Sequence, residues 1–310
     1  MGQNLGATVV ITTLGRRDDL RGCLHSIAVQ ETEPDRVIVV DDGDVDATRR
    51  VAGTFDIDVR CVEGPGRGLP ASRNAGVELV ESDVVCFVDD DVVLPPNWLS
   101  EILRVYEDRD PDGVGGSVVN YTDEEIGKAN MDSPLYRVLT VLRTLFFHDR
   151  IGEVGPMGTL YAPHTFVGTR PKRVDTFQGC NMTFRTDVFE EHRFDEWYGE
   201  GGSAPAEELA FCTELTDAGK ELVYTPRAVV IHKRTASGGE RSPGTNTEFR
   251  ALRNLALYTA QYSRYGGADL ALLVLRALFA SVLSRSPRPF AAVLEGLNEF
   301  RRRNAGGGRA

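Results

Sequence analysis

The chain has 310 residues, 41% of them hydrophobic, and a formal net charge of -11. That is enough apolar material for one large core, or a core with an appended helical piece. So strong an acid excess excludes the basic face by which nucleic acids are bound, and the few basic clusters are short. Lysine is confined to Lys128, Lys172, Lys220 and Lys233, the rest of the positive charge being arginine; the skew suggests a salt-adapted or GC-rich source. Cys23, Cys61, Cys86, Cys180 and Cys212 are odd in number, widely spaced and free of any CxxC pair, as in a reduced cytosolic protein. The first residues lack the basic start and apolar length of a secretory signal. The longest apolar run, 270–283, is interrupted by Arg276 and too short to cross a bilayer. The expected location is cytoplasmic.

Residues 7–12 read as an apolar strand, and 20–29 as a helix with Leu20, Cys23, Leu24 and Ile27 on one face. Residues 36–40 form a second buried strand that stops at Asp41, Asp42 and Gly43. A helix near 47–53, a strand near 57–62 and a helix over 70–80 follow, with Pro70 suited to the helix's first turn. Next comes SDVVCFVDDDVVLPPNW, residues 82–98, in which a buried strand runs into Asp89, Asp90 and Asp91. Two unit charges about 4 Å apart cost about 4 kcal/mol at an effective dielectric near 20, so three such acids ask for a cation. Strand alternation puts Asp89 and Asp91 on one side and Asp90 on the other. A solvated acidic turn is the plain alternative. The βαβα series predicts an α/β fold, a mostly parallel sheet with helices on both faces, whose ligands bind beyond the carboxyl ends of the strands.

Asn97 is placed to cap a helix over 98–106, and 112–120 reads as a strand. Residues 133–147 have helical periodicity, but 121–175 is otherwise poorly patterned and is either a cleft lining or a surface loop. Regular structure resumes at 176–184 and 187–191. A helix spans 206–218 with Gly219 as its C-terminal cap, and a strand within 222–231 runs into His232. Helices over 249–265 and 268–283 carry arginines beside apolar faces. They either pack on the domain or on a second copy, giving a homo-oligomer, or lie on a membrane surface. Residues 301–310 read as disordered.

Gly66, Gly68 and Ala71 fit a G-x-G-x-x-A dinucleotide turn, but on the third strand and with Pro70 inside the motif, so a glycine turn packed for backbone reasons is an equal reading. Thr12-Thr13, Asp41-Asp42-Gly43, the GRGLPASRNAG segment, Asp89-Asp90-Asp91, Gly179-Cys180-Asn181, Glu207-Glu208 and His232, taken in this order, resemble the successive motifs of family 2 inverting glycosyltransferases with a GT-A fold. The resemblance covers residues 7–235. It implies a nucleotide-sugar-binding and catalytic domain over 1–245, followed by a helical extension over 246–300 and the tail 301–310.

The same resemblance implies roles. Thr12, Asp41, Asp42 and Arg73 would contact the nucleoside of the donor. Asp91 and His232 would bind a divalent metal, Mn²⁺ or Mg²⁺, at the diphosphate. Asp89 and Asp90 group with the donor contacts, Asp90 being the one of the three acids expected to be structural. Glu208 stands where the family's catalytic Asp usually is, and the helix start there favours its charged form. Trp197 and Tyr198 are candidates for stacking on an acceptor sugar, or plain packing. The implied activity is metal-dependent transfer, with inversion, from a UDP-sugar to a glycan or lipid-linked acceptor, in the cytoplasm or peripherally on the inner face of a membrane. A nucleotidyltransferase shares the sheet and the acids but carries a glycine- and lysine-rich loop after the first strand, where this chain has Thr13-Leu14-Gly15-Arg16-Arg17. A non-catalytic sugar-nucleotide-binding subunit of the same fold would keep the metal acids and lack turnover.

Overall fold

The structure, a computed structural model, describes residues 5–120, 150–158, 160, 164, 170–200, 204–233 and 247–306. The helix expected over 133–147 lies outside them. In order the elements are β1 (Ala7–Thr13), α1 (Arg17–Ala28), β2 (Arg36–Asp41), α2 (Val45–Ala52), β3 (Val59–Glu63), α3 (Leu69–Val77), β4 (Val84–Asp89), β5 (Val92–Val93), α4 (Trp98–Arg109) and β6 (Gly113–Asn120). Then come β7 (Lys172–Arg173), β8 (Met182–Arg185), α5 (Val188–Glu191), α6 (Glu207–Asp217), β9 (Leu222–His232), α7 (Thr247–Tyr262), α8 (Gly267–Leu283) and α9 (Arg288–Gly306).

These strands form one sheet in the order β3-β2-β1-β4-β8-β6-β9-β5, with β7 on β9. The half built from β1 to β4 is parallel, as the alternating pattern predicts. In the other half β8 runs antiparallel to both β4 and β6, and β5 and β7 run antiparallel to β9, so the sheet as a whole is mixed. Period-two alternation divides each parallel strand between two cores. Val9, Ile11, Val37, Val39 and Cys86 face Leu20, Leu24, Leu99 and Ile102 of α1 and α4. Val10, Ile38, Val40 and Phe87 face a cluster rich in phenylalanine on the opposite side. There Phe194 and Phe211 lie 4.2 Å apart between centroids and fix α6 over β4. All five cysteines are free.

Asn181 ties β6, β9 and α4 together. Fully buried, it donates from Nδ2 to the carbonyls of Ser117 and Ala228, both at 3.0 Å, and its Oδ1 accepts from Trp98 Nε1 at 3.0 Å. Asn181→Ala leaves all three partners buried and unpaired, each costing about 1–3 kcal/mol. The expected loss of stability is about 3 kcal/mol or more, read from the urea midpoint; a loss below about 1 kcal/mol would contradict this account.

The C-terminal tail departs from the sequence expectation: residues 301–306 continue α9 instead of being disordered. The three C-terminal helices form one body, with Ala256, Leu273, Ala277 and Val293 at its centre. It is attached to the sheet domain through α7. Leu257 and Tyr258 pack against Tyr198, Leu209 and Ala210, and Asn254 Nδ2 donates to the carbonyls of Tyr198 and Pro205, both at 2.9 Å.

Candidate active site

Register brings the site together at the carboxyl ends of the parallel strands, where β1 is flanked by β2 and β4 and the chain order reverses. Thr12 pairs with Asp89 of β4, and Thr13 with Asp41 of β2. The two-residue strand β5 then doubles back on β9, setting Val92 opposite His232, and Lys233 N donates to the Asp91 carbonyl at 2.9 Å. A short backbone pairing thus delivers His232 from far along the chain to the acids.

His232 Nε2 lies 3.0 Å from Asp91 Oδ1 and 4.0 Å from Asp89 Oδ2. The potential ligand atoms of Asp89, Asp91 and His232 all lie within 4.8 Å of one another. His232 Nε2 is buried and makes no hydrogen bond of proper geometry, and two carboxylate oxygens with one imidazole nitrogen suit a hard divalent ion, Mn²⁺ better than Mg²⁺. The residues present therefore fit a metal. Asp90 turns the other way, into the interior. It accepts from Thr13 Oγ1 at 2.7 Å and from Arg16 at 2.9 Å. Burial pushes its carboxyl up to about 7, against the pull of Arg16 and the Thr13 hydroxyl. Arg16 also reaches Asp91 Oδ2 at 3.1 Å.

The nucleoside-side residues divide by burial. Asp41 is buried, with one oxygen accepting from Gly43 N at 2.8 Å and the other from Thr48 Oγ1 at 2.7 Å, so it shapes the turn. Thr12 and Asp42 keep partial exposure. Asp42 accepts from Gly66 N at 2.9 Å and Ser72 Oγ at 2.7 Å, tying the glycine loop to the strand end. Gly68 has φ 92°, and a Cβ there would sit 2.4 Å from the Gly199 carbonyl oxygen. The glycine motif is a backbone crossing, and the dinucleotide reading falls away. Arg73, expected to touch the nucleoside, is buried beneath the site. It forms an ion pair with Glu207, approaches Asp89 Oδ1 at 3.5 Å and donates to the Gly179 carbonyl at 3.0 Å.

Glu208 is the second residue of α6 and half-buried. Ala206, just before the helix, has φ 69° and ψ 10°, a left-handed conformation uncommon for alanine and typical of backbone strain near functional sites. The backbone N–H at the helix start and Arg73 favour the charged form of Glu208, but burial outweighs them and the nearby Asp89 charge adds to it, so its pKa is raised. Tyr198 is fully buried and donates to Gln261 Oε1 at 3.2 Å, which leaves it no ring face for an acceptor sugar. Trp197 is half-buried, with the Arg253 guanidinium 4.3 Å from its ring centroid.

Three participants escaped sequence reasoning. Arg16 carried a signal in its place just past the first strand, where the next strand's acids must end. The Arg73–Glu207 pair and the Asp42–Ser72 bond join residues remote in sequence and had none.

The model of Glycosyl transferase family 2 matches residues 8–192, so the chain belongs to that family and is a glycosyltransferase. Over 237 residues it is 27% identical to the Glucosyl-dolichyl phosphate glucuronosyltransferase of Haloferax volcanii, covering 73% of this chain and 68% of that protein. Over 230 residues it is 28% identical to the Pre-mycofactocin glycosyltransferase of Mycobacterium tuberculosis, covering 73% of this chain and 42% of that protein, so it spans less than half of that relative. Among solved structures, S. aureus TarS in complex with UDP-GlcNAc superposes with a TM-score of 0.60 at 14% identity, over 96% of this chain and 80% of the other. GalNAc-T7 with UDP, GalNAc and Mn²⁺ does so with a TM-score of 0.57 at 15% identity, over 85% and 50%. The fold is of the GT-A type, with a C-terminal helical region.

Proposed function

We propose that the chain transfers a sugar with inversion from a UDP-sugar to a glycan or lipid-linked acceptor, using Mn²⁺ or Mg²⁺ held by Asp89, Asp91 and His232. The observation that carries the reading is the convergence of those three side chains at the strand ends, with the Glu208 carboxylate close enough to feel the charge of Asp89. UDP in the related TarS and GalNAc-T7 structures supports the donor class. The dolichyl phosphate acceptor in the name of the archaeal relative supports a lipid-linked acceptor.

In a single displacement the acceptor hydroxyl attacks the anomeric carbon as the bond to the UDP oxygen breaks. Glu208 takes the hydroxyl proton, which its raised basicity favours. A divalent ion, when bound, supplies positive charge where the diphosphate departs. Thr12 and Asp42 line the nucleoside end. Arg73 and Glu207 hold Asp89 and the start of α6 in register from below, and Asp90 does the same for the strand end through Thr13 and Arg16.

Thermal-shift titration with nucleotide-sugars tests the reading. A UDP-sugar with Mn²⁺ is expected to stabilise the protein by about 2.7 kcal/mol at 100 times its Kd, and without metal to shift it far less. Equal shifts with and without metal would remove the metal. Preference for another nucleotide would remove the UDP donor.

A further inference from the structure

The helix α8 presents an unusual outward face. Its inward side is ordinary, with Asp269, Leu273 and Ala277 buried. At 100° per residue the remaining arc should be charged, yet Leu272 is 49% exposed, Leu275 61%, Leu278 42%, Phe279 66%, Val282 74% and Leu283 69%. These six side chains span about 140° of the helix with no charged side chain among them, wider than the ~100° stripe by which a surface helix faces a core. Their combined exposed area is on the order of 700 Å², above the ~300–600 Å² of the largest apolar patch on an ordinary monomer.

Charge indicates what covers this face. In a chain of net charge -11, residues 270–294 contain no Asp or Glu and three arginines, Arg276, Arg285 and Arg288. All three are exposed, Arg276 at the border of the apolar arc and the other two just beyond its C-terminal end. A basic rim around an apolar strip is complementary to the headgroup and acyl layers of an anionic bilayer. A two-fold contact between copies would instead bring like-charged arginines together. With 17 residues, α8 is about 25 Å long, shorter than the ~30 Å hydrocarbon core. No described helix is long and apolar enough to cross a membrane, so α8 suits lying in the surface plane.

We infer that α8 docks the protein on an anionic lipid surface through Leu272, Leu275, Leu278, Phe279, Val282 and Leu283, with Arg276, Arg285 and Arg288 on the headgroups. The inference draws nothing from the transfer site, and its test requires no turnover.

Flotation of the full chain with phosphatidylcholine vesicles, and with vesicles also containing phosphatidylglycerol, tests it. The wild type is expected to float with the anionic vesicles and to lose binding as salt rises. The doubly substituted Leu275→Asp/Phe279→Asp protein is expected to stay at the bottom while keeping its circular-dichroism melt, since both side chains are exposed. Arg276→Gln is expected to weaken partitioning about fivefold. Failure of the wild type to float with either vesicle overturns the inference, as does equal flotation of the double variant. So does a dimer in sedimentation velocity that Leu275→Asp/Phe279→Asp converts to monomer, because the face would then be an interface between copies.

Discussion

Asp91→Asn is expected to lower kcat/KM by about 10³-fold or more and to abolish the metal-dependent part of donor binding. The amide keeps the volume of the carboxylate, so the fold is retained, but it removes one of the two anionic oxygens that face His232. A bound metal contributes several kcal/mol at a departing diphosphate, and 10³-fold corresponds to about 4 kcal/mol. Measuring sugar release from the donor across a Mn²⁺ titration separates this from misfolding: the variant should still melt cooperatively, with the Arg16 pair weakened, and gain nothing from UDP plus metal. Asp90→Asn is the companion measurement. Its oxygens are held by Thr13 and Arg16, so its effect should fall on stability while the metal-dependent donor shift persists. Full metal-dependent activity in Asp91→Asn would refute the ligand assignment.

Glu208→Gln is expected to cost about 10²–10⁴-fold in turnover, the usual contribution of a general base, with donor binding unchanged because the group meets the acceptor. Glu208→Asp should retain part of the rate, since it restores the carboxylate one methylene shorter. The pH profile supplies an independent check. Burial raises the pKa of Glu208 in the folded protein, and the base acts when ionised. Activity should therefore be present at high pH and lost as pH falls through that raised value, placing the acid limb above the ordinary glutamate range. An acid limb that stays put in Glu208→Gln would assign the limb, and the base, to another group.

The parallel half of the fold was legible because β1, β2 and β4 are apolar runs, the latter two closed by acids, and α1 has a clear apolar face. The antiparallel half was not. β5 has two residues, β7 has two and β8 has four, too short for period-two patterning to be distinguished from chance, and their pairing is decided by contacts remote in sequence. α9 lies within the helical extension expected over 246–300, but its end was missed because the arginines and glycines after 300 suggest a solvated tail. Yet Phe290, Val293, Leu294, Leu297 and Phe300 recur at three- and four-residue intervals, and proline is tolerated in a helix's first turn. At the site, Asp89, Asp91, His232 and Glu208 were named through the resemblance to family 2 glycosyltransferases, and the structure brings ligand atoms of the first three within 4.8 Å of one another. The division between Asp41 and Asp42, the burial of Arg73 and the closed packing of Tyr198 could not be read from the sequence, because each depends on which neighbour covers it.

Arg16 changes what the acidic strand end requires. Three adjacent carboxylates first suggested a centre that needs an external ion to exist, but the chain carries its own counter-charge, fastened to Asp90 and Asp91 from the turn after β1. The strand end therefore has a cationic partner within the chain itself. Under the proposed metal role, the polypeptide would acquire its shape first and take up an ion afterwards, and chelation is expected to lower turnover while leaving the melting temperature in place.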